Sequence, residues 1–354
     1  MSVNSERICY IHAGTHKTAS TYIQSRLIQN RDLLEKQRLI YEVPGRAHLT
    51  QKHRTHKSLG LAAKRLKWKK WHRYLERFSD RPENLLLSAE QFTTPLCEPK
   101  RLRRIEKILS RHGYTLRVII FIRPQLEYIN SMYAYTLRRF YHSLTFESYI
   151  EGIKRTGANH RYSYNILFND LLNSRVGCTF LPFSKDYGDP FIQLIQALKL
   201  DPNRKYAAVV HGKENVQSGT RGVWLSRLVA AKLQKLGFTG KNLQSAAKEV
   251  HRVAEPERWH EQRYFGFSKE LALKTLEHYE HGNNIFAHKV WGKNWGDVFQ
   301  PTIPTQNAYS PATPEEAGRM NDLANQIISR LANRNPSLAI ALKSSTTVDI
   351  NGSV

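Results

Sequence analysis

The segment 13–21 gathers groups that could bind an anion. It holds one glycine, one lysine, one histidine and four hydroxyl side chains, at Gly14, Lys17, His16, Thr15, Thr18, Ser20 and Thr21. We expect it to connect a strand to the start of a helix, where backbone N–H groups and the helix dipole attract negative charge. Lys17 adds a positive charge and the hydroxyls add hydrogen-bond donors. The segment therefore predicts a site for a phosphate-like group.

This loop does not match the Walker A motif. That motif needs a glycine directly before the lysine and a second glycine five residues earlier. His16 and Ile11 occupy those two positions. A standard ATPase or kinase is therefore disfavoured, and a nucleotide-dependent kinase with a degenerate P-loop is kept as an alternative.

A strand and a helix are needed to position the loop. Residues 8–12 form a short apolar run typical of a buried strand. Residues 21–37 carry Ile23, Leu27 and Leu34 on one helical face. Strand, loop and helix in this order form the first half of a βαβ unit.

A second strand-to-helix junction lies at Arg123. Residues 116–122 are apolar almost throughout, which is typical of a strand covered on both faces in a parallel sheet. Arg123 and Pro124 close this strand, and a helix that includes Ser131 is predicted over 126–140. An arginine at the carboxyl end of a strand and a serine on the next helix could together hold one phosphate.

The remaining pattern is typical of an α/β protein. We predict further strands within 84–90 and 180–183, and helices over 99–112, 190–199, 221–236 and from Pro314, with Thr313 as N-cap. We expect a central parallel sheet with additional helices, in a single domain over 1–335. Residues 336–354 are mostly small and polar, so we expect a flexible C-terminal tail.

The chain is strongly basic. It has 54 Lys and Arg against 30 Asp and Glu, a net charge of +24, which implies a polyanionic partner. Residues 46–77 contain eleven Lys and Arg against a single acid, Glu76. We predict a basic helical insertion over 46–80, which is either an ordinary solvated surface or a binding surface.

The cysteines and the hydropathy pattern exclude other classes. Cys9, Cys97 and Cys178 have no zinc-site or disulfide-framework spacing, so we expect buried, reduced thiols. No apolar run is long enough to span a bilayer, and the N-terminus lacks a secretory pattern. We therefore expect a cytoplasmic protein, and no motif implies a metal. The basic insertion also allows a peripheral membrane contact.

Two motifs resemble those of sulfotransferases that use PAPS, 3′-phosphoadenosine 5′-phosphosulfate. Residues 10–24 resemble the 5′-phosphosulfate loop, whose usual form is an apolar strand and then Gly-x-x-Lys-Thr-Gly-Thr-Thr-x-Leu-Gln. Residues 119–124 with Ser131 resemble the 3′-phosphate motif, since Arg123 and Ser131 are eight residues apart. Weaker similarity to bacterial carbohydrate-type members extends over 85–92, 181–183, 214–216 and 283–298. Ala19 stands where glycine is commoner, which narrows the allowed backbone conformations.

The resemblance implies a P-loop-NTPase-like three-layer sandwich. It also implies transfer of the sulfonate group of PAPS to a hydroxyl, less readily an amine, of a carbohydrate or glycolipid acceptor, giving 3′,5′-ADP. Lys17 would contact the phosphosulfate and stabilise the leaving group. The other residues expected to bind the 5′ side of the nucleotide are Thr18, Ala19, Ser20 and Thr21, and those expected to bind the 3′-phosphate are Arg123 and Ser131.

The acceptor must lose a proton, so a base is expected near Lys17. Glu90, at the end of a predicted strand, is the first choice, and glycosaminoglycan-type members of the family use a glutamate. His16 and His12 are rivals because imidazole titrates near neutrality. His12 is also explained as a core histidine.

The basic insertion would then be a platform for the acceptor. Trp68 and Trp71 could stack on sugar rings while Lys67, Lys69 and Lys70 hold acidic groups.

Two further alternatives are a non-catalytic polyanion-binding protein and a family member that binds nucleotide without transferring sulfonate. The first predicts steep salt dependence without nucleotide selectivity. No RNA-binding signature or zinc finger occurs, so a nucleic-acid partner is not expected. The sequence leaves open the identity of the acceptor and the oligomeric state.

Overall fold

The structure, a computed structural model, describes residues 6–44, 54–155, 157–208, 219–238, 244–301, 303 and 313–342. The chain divides into two compact units. The first comprises Met1–Tyr128, His160–His211 and His278–Pro301, and the second comprises Ile129–Asn159, Gly212–Glu277 and Thr302–Val354. The expected single domain over 1–335 thus contains two compact regions, each built from separate parts of the sequence.

A five-stranded sheet, parallel throughout, organises the first unit. Its strands are β1 (Arg7–His12), β2 (Leu39–Ile40), β3 (Asn84–Ser88), β4 (Tyr114–Ile122) and β5 (Gly177–Pro182). The spatial order is β2-β3-β1-β4-β5. The predicted parallel sheet is therefore confirmed, with β1 at its centre.

The helices lie between and after these strands. In chain order they are α1 (Ser20–Gln29), α2 (Arg31–Glu35), α3 (Lys57–Lys64), α4 (Lys69–Leu75), α5 (Thr93–Leu96), α6 (Pro99–Arg111), α7 (Gln125–Arg138), α8 (Phe146–Arg155), α9 (Tyr164–Leu167), α10 (Asn169–Leu172), α11 (Pro190–Ala197), α12 (Gly219–Lys235), α13 (Gln244–Ala254), α14 (Lys269–Trp291), α15 (Trp295–Val298) and α16 (Pro314–Ala332). Within the described residues no helix is both long and apolar enough to cross a lipid bilayer.

Helices pack on both faces of the sheet. On one face, Tyr10, Leu86 and Phe121 form a buried cluster with Leu27 of α1 and Leu194 of α11. The residues that alternate with Phe121 along β4 are also buried, and α6 contacts β4. Because successive strand residues point to opposite faces, the burial of both sets explains the apolar run of β4.

The second unit has a helical core. Helices α12, α13 and α16 contact one another and bury apolar residues such as Leu225, Val250 and Ile327. Helix α16 begins as predicted, because the Thr313 hydroxyl accepts a hydrogen bond from the backbone N–H of Glu316 at 3.2 Å.

The first part of the expected flexible tail, residues 336–354, is ordered into a helix in the structure. Residues 336–342 are helical, and Leu338 is buried in the core formed by α12, α13 and α16. Leu338 and Leu342 are four residues apart, so they share one face of a helix. That spacing explains why these residues pack rather than extend into solvent. Residues 343–354 lie outside the described part of the chain.

Two predicted helices are interrupted. The helix expected over 21–37 ends at Gln29, where the Asn30 side-chain amide donates to the carbonyl of Arg26 at 2.7 Å. The basic insertion forms α3 and α4 with a turn between them, in which Leu66 has a positive φ of 58°. In both segments the helical spacing of apolar residues continues past the break, at Asn30 and at Leu66, so the sequence pattern did not reveal either one.

Candidate functional site

The loop after β1 lies at the carboxyl edge of the sheet, where the strand order changes direction. From β1 the chain passes to β2 and β3 on one side and then crosses to β4 on the other. In open α/β sheets, ligands bind in the crevice at such a switch point. The predicted anion-binding loop therefore occupies the place that this topology favours for a ligand.

Hydrogen bonds tie the loop to its neighbours. The Ala13 N–H donates to the Ile119 carbonyl at 3.0 Å. The Thr15 hydroxyl donates to the Phe121 carbonyl at 3.1 Å, and the Thr93 hydroxyl donates to the Gly14 carbonyl at 2.7 Å. The loop is thus fixed to β4 on one side and to the start of α5 on the other.

Two loop residues adopt the left-handed backbone region. Lys17 has φ of 69° and Ala19 has φ of 56°, a conformation that costs roughly 1–2 kcal/mol for a residue with a Cβ. The Thr18 hydroxyl donates to the Thr15 carbonyl at 2.7 Å, and the Arg123 guanidinium donates to the Lys17 carbonyl at 2.8 Å. These bonds hold the loop in a shape that its sequence would not adopt alone.

The start of α1 has no side-chain cap. Ala19 is the N-cap residue, and no acidic residue lies in the first turn. The Ser20 hydroxyl is buried beside the Glu90 carboxylate, and within the described residues it forms no hydrogen bond of ordinary length and angle. A buried hydroxyl of this kind is costly unless a partner is supplied. An anion bound at the N–H groups of the first turn would supply that partner.

Gly14 is required by close packing at this point. A Cβ at Gly14 would lie 2.9 Å from Ser20 Oγ and 3.0 Å from Thr18 Oγ1. Any side chain there would displace these two hydroxyls. The glycine therefore allows the loop to bring hydroxyl groups together at the beginning of α1.

Glu90 and His16 form a pair beside the loop. Glu90 follows β3, and one of its carboxylate oxygens lies 2.9 Å from Nδ1 of His16. Burial alone would raise the pKa of the Glu90 carboxyl, but the hydrogen bond and charge of His16, the adjacent Ser20 hydroxyl and the charge of Lys17 hold that pKa below its ordinary value. Glu90 is therefore ionised at neutral pH.

His12 lies in the core beneath the loop. It is 1% exposed, its Nδ1 lies 2.8 Å from Ser88 Oγ, and its ring packs edge-on against Phe121 at 5.6 Å. Burial lowers the pKa of His12 to about 4. This environment favours the interpretation of His12 as a neutral core residue.

His56 is a buried residue that the sequence analysis missed. Its Nδ1 accepts a hydrogen bond from the Ser88 N–H at 3.1 Å, so Nε2 carries the proton and donates to the Glu42 carbonyl at 2.9 Å. Burial lowers the pKa of His56 to about 3. His56 thereby fixes the end of β3 two residues before Glu90. Its partners are distant in sequence, so no local spacing indicated its role.

Arg123 and Ser131 lie where the second motif predicts them. Arg123 follows β4, and the Tyr164 hydroxyl donates to its carbonyl at 2.6 Å. The contact between the Arg123 guanidinium and the Lys17 carbonyl joins the first motif to the second. Ser131 is half-buried on the second turn of α7.

The other residues of the first motif differ in exposure. Thr18 is fully buried, and Thr21 is exposed. The weak similarity at 214–216 lies outside the described residues.

The expected aromatic platform is contradicted at Trp71. This residue is 0% exposed, its indole N–H donates to the Leu59 carbonyl at 3.1 Å, and its ring packs against Phe92 at 5.8 Å. Trp71 is a core residue and cannot stack on a sugar. Trp68 is half-buried.

Comparisons with protein-family models, with curated proteins and with solved structures give no match. The function is therefore inferred from the residues of the site and their geometry.

Proposed function

We propose that this protein is a PAPS-dependent sulfotransferase with a P-loop-NTPase-like core. The observation that carries the proposal is the loop between β1 and α1. It combines an uncapped helix start, a buried Ser20 hydroxyl and the cation of Lys17 at the switch point of a parallel sheet. Within the described residues the Ser20 hydroxyl lies beside Glu90 but forms no hydrogen bond of ordinary geometry. These groups suit the 5′-phosphosulfate of PAPS because they are all donors or positive charges.

The contact of Arg123 with the loop is compatible with its proposed role at the 3′-phosphate. A guanidinium has five N–H donors, and one of its terminal nitrogens donates to the Lys17 carbonyl. A guanidinium can serve more than one acceptor at a time, because its donors point in several directions. One residue would thus support the 5′ loop and bind the 3′ group, which makes nucleotide selectivity depend on the loop's conformation.

PAPS would supply the sulfonate group, with 3′,5′-ADP as the leaving group. Glu90, which is ionised and held by His16, would take the proton of the acceptor hydroxyl as its oxygen bonds to sulfur. Lys17 would stabilise the negative charge that develops on the bridging oxygen as the bond from sulfur to that oxygen breaks. Positioning and charge stabilisation then account for the reaction, as in phosphoryl transfer.

We propose a carbohydrate or glycolipid as the acceptor class, which follows from the resemblance to carbohydrate-type enzymes. The exposed Lys67, Lys69 and Lys70 support an acceptor with acidic groups. Trp71, being buried, takes no part in this recognition.

Thermal stabilisation by 3′,5′-ADP tests the proposal, with AMP and ATP as comparison ligands. A ligand that binds only the native state raises the melting temperature. We expect a shift that requires the 3′-phosphate and that weakens in Lys17→Ala and Arg123→Ala. The exposed Lys293→Ala and Arg103→Ala are matched controls and should keep the shift.

Two different results would contradict the proposed function. Equal stabilisation by AMP and 3′,5′-ADP would remove the sulfotransferase proposal. Magnesium-dependent turnover of ATP would instead support the kinase with a degenerate P-loop.

A further inference from the structure

The turn between α3 and α4 presents a concentrated positive charge. We call Lys57–Leu75 the basic hairpin, and it contains no acidic residue. Seven of its cations are exposed and form no ion pair within the described part of the chain: Lys57, Lys64, Arg65, Lys67, Lys69, Lys70 and Arg73. A surface with this much unopposed charge attracts an anionic partner.

The same turn exposes an apolar side chain at its tip. Leu66 is 60% exposed and has a φ of 58°. A glycine or asparagine would adopt this backbone conformation more readily than leucine. The end of α3 requires a left-handed residue at this position, but it does not require that this residue be an exposed leucine among lysines. A partner that accepts an apolar side chain explains it.

The turn has a defined conformation. The backbone N–H groups of Leu66 and Lys67 donate to the carbonyls of Ala63 and Ala62 at 3.2 Å and 2.8 Å. These bonds close the end of α3 in the manner of a helix C-terminal motif. Leu66 is therefore displayed in one orientation.

The basic hairpin is anchored on the segment that carries Glu90. A Cβ at Gly60 of α3 would lie 2.8 Å from Gln91 Cβ, so the two segments are in close contact. From α4, Trp71 packs against Phe92, and the Tyr74 hydroxyl donates to the Glu42 carbonyl. The basic hairpin is thus packed against the segment that carries the candidate base.

We propose that the basic hairpin binds the surface of an anionic lipid membrane. Leu66 and the half-buried Trp68 would enter the headgroup region, and the surrounding lysines and arginines would contact lipid phosphates. Combined cationic and apolar groups are typical of interfacial membrane binding. Lysine stems also cover apolar surface while their charges stay in water.

A soluble polyanion fits this surface less well. Nucleic acids and polysaccharides are bound by charges together with aromatic rings that stack on bases or sugars. Trp71 is buried, and the exposed apolar group at the tip is an aliphatic leucine. Binding at a membrane would also place a lipid-linked acceptor near Glu90. The inference does not depend on the proposed function, because membrane binding requires no nucleotide.

Sedimentation of the full-length protein with lipid vesicles tests the inference. One vesicle contains phosphatidylcholine alone, and the other contains phosphatidylcholine and phosphatidylglycerol in equal amounts. We expect binding to the second vesicle and little to the first. Lys67→Ala, Lys69→Ala and Lys70→Ala combined should weaken binding by about tenfold or more, and Leu66→Ser should weaken it severalfold.

Matched control variants remove the same kinds of side chain, three cations or one leucine, from surfaces outside the basic hairpin. Lys100→Ala, Arg103→Ala and Lys107→Ala together delete three exposed cations from α6, and Leu273→Ser deletes a leucine that is 48% exposed. Both variants should bind the mixed vesicle with an affinity within about twofold of wild type. The α6 triple variant lowers the net charge by as much as the hairpin triple variant does, so it shows how much of the loss comes from net charge alone. Melting temperature shows that each variant is folded.

Several results would overturn the inference. One is equal loss of vesicle binding in the hairpin and α6 triple variants, which would indicate only net charge. Another is unchanged binding in Leu66→Ser together with tighter binding to soluble heparin, which would indicate a polysaccharide surface. If wild type binds vesicles but shows no stabilisation by 3′,5′-ADP, the membrane surface stands and the sulfotransferase proposal fails.

Discussion

The carboxyl edge of the sheet and the core of the second unit differ in what they bury. At the sheet edge, His12, His56 and Ser88 are almost completely buried and hydrogen-bonded around the ends of β1 and β3. The core formed by α12, α13 and α16 consists of apolar side chains such as Val229 and Ile327.

The two regions therefore differ in the free-energy cost of what they bury. Burying a polar group costs free energy unless it is hydrogen-bonded, whereas apolar burial stabilises a fold directly. The sheet edge carries this cost and also holds two loop residues in left-handed conformations. The helical core is mainly apolar, although it includes Phe140, with a φ of 55°, and lies beside the buried Glu249, which is ion-paired with Arg334. We infer that the first region is arranged for binding and the second for stability, and four predictions test that contrast.

Lys17→Ala should have the largest effect. Removing a group that stabilises charge in the transition state lowers turnover by about a hundredfold to a thousandfold. Affinity for 3′,5′-ADP should fall less than turnover, because that charge is greatest during bond breaking. The rate of 3′,5′-ADP formation from PAPS, with a mixed glycan and glycolipid fraction as acceptor, measures the effect. Equal losses in Lys17→Ala and Lys293→Ala would contradict the role of Lys17.

Ile327→Ala tests the inference that the helical core serves stability. Ile327 is 0% exposed in the core of α12, α13 and α16. Deleting its buried methyl and methylene groups leaves a cavity and should lower the free energy of unfolding by about 2–5 kcal/mol. Denaturant titration measures this loss. Asn325→Ala on the exposed face of the same helix should stay within about 0.5 kcal/mol of wild type, and a similar loss there would refute the packing argument.

Acidification should lower the free energy of unfolding through the two buried histidines at the sheet edge. His12 and His56 have pKa values of about 4 and about 3 in the folded protein, below the value near 6.5 of an unfolded chain. Between these values the unfolded state binds more protons, so the stability present above about pH 6.5 is lost as pH falls. The expected loss from pH 7 to pH 5 is about 2 kcal/mol for each histidine.

Denaturant midpoints at pH 7 and pH 5 measure this effect. His56→Gln should have a smaller difference between the two midpoints than wild type. His251→Gln, at an exposed position of α13, should keep the wild-type difference. Glu90 does not contribute in this window, since its lowered pKa matters only below about pH 4.5. An unchanged difference in His56→Gln would contradict the buried neutral histidine.

The sequence predicted the elements whose signals are local. The apolar run of β4, the loop after β1 and the Thr313 cap each depend on residues close in the chain, and the structure contains all three. Their formation follows from periodicity, turn chemistry and capping, which a single sequence displays.

Features that depend on distant contacts were not predicted. Trp68 and Trp71 look equivalent in sequence, but the turn at Leu66 sends only Trp71 into the core beside Phe92. The bond from Arg123 to the Lys17 carbonyl joins residues 106 positions apart. Such pairs are chosen by the packing of the sheet, and no local pattern encodes them.

Ser20→Ala should have the smallest effect and opposite consequences for stability and binding. The Ser20 hydroxyl is buried beside the Glu90 carboxylate and forms no hydrogen bond of ordinary geometry within the described residues, so its removal should leave the free protein equally stable or up to about 1 kcal/mol more stable. Under the proposed function, the same change would remove a donor to the phosphosulfate group. Affinity for 3′,5′-ADP should therefore fall by about threefold to tenfold.

Ser25→Ala is the matched control on the same helix. The Ser25 hydroxyl donates to the Thr21 carbonyl at 2.8 Å and accepts a hydrogen bond from Arg54. Its loss leaves partners unsatisfied, so Ser25→Ala should destabilise the protein. Melting temperatures with and without 3′,5′-ADP separate the two effects. If Ser20→Ala also destabilised the free protein and kept full affinity, the hydroxyl would serve the fold, and the binding role of the loop would lose its most specific support.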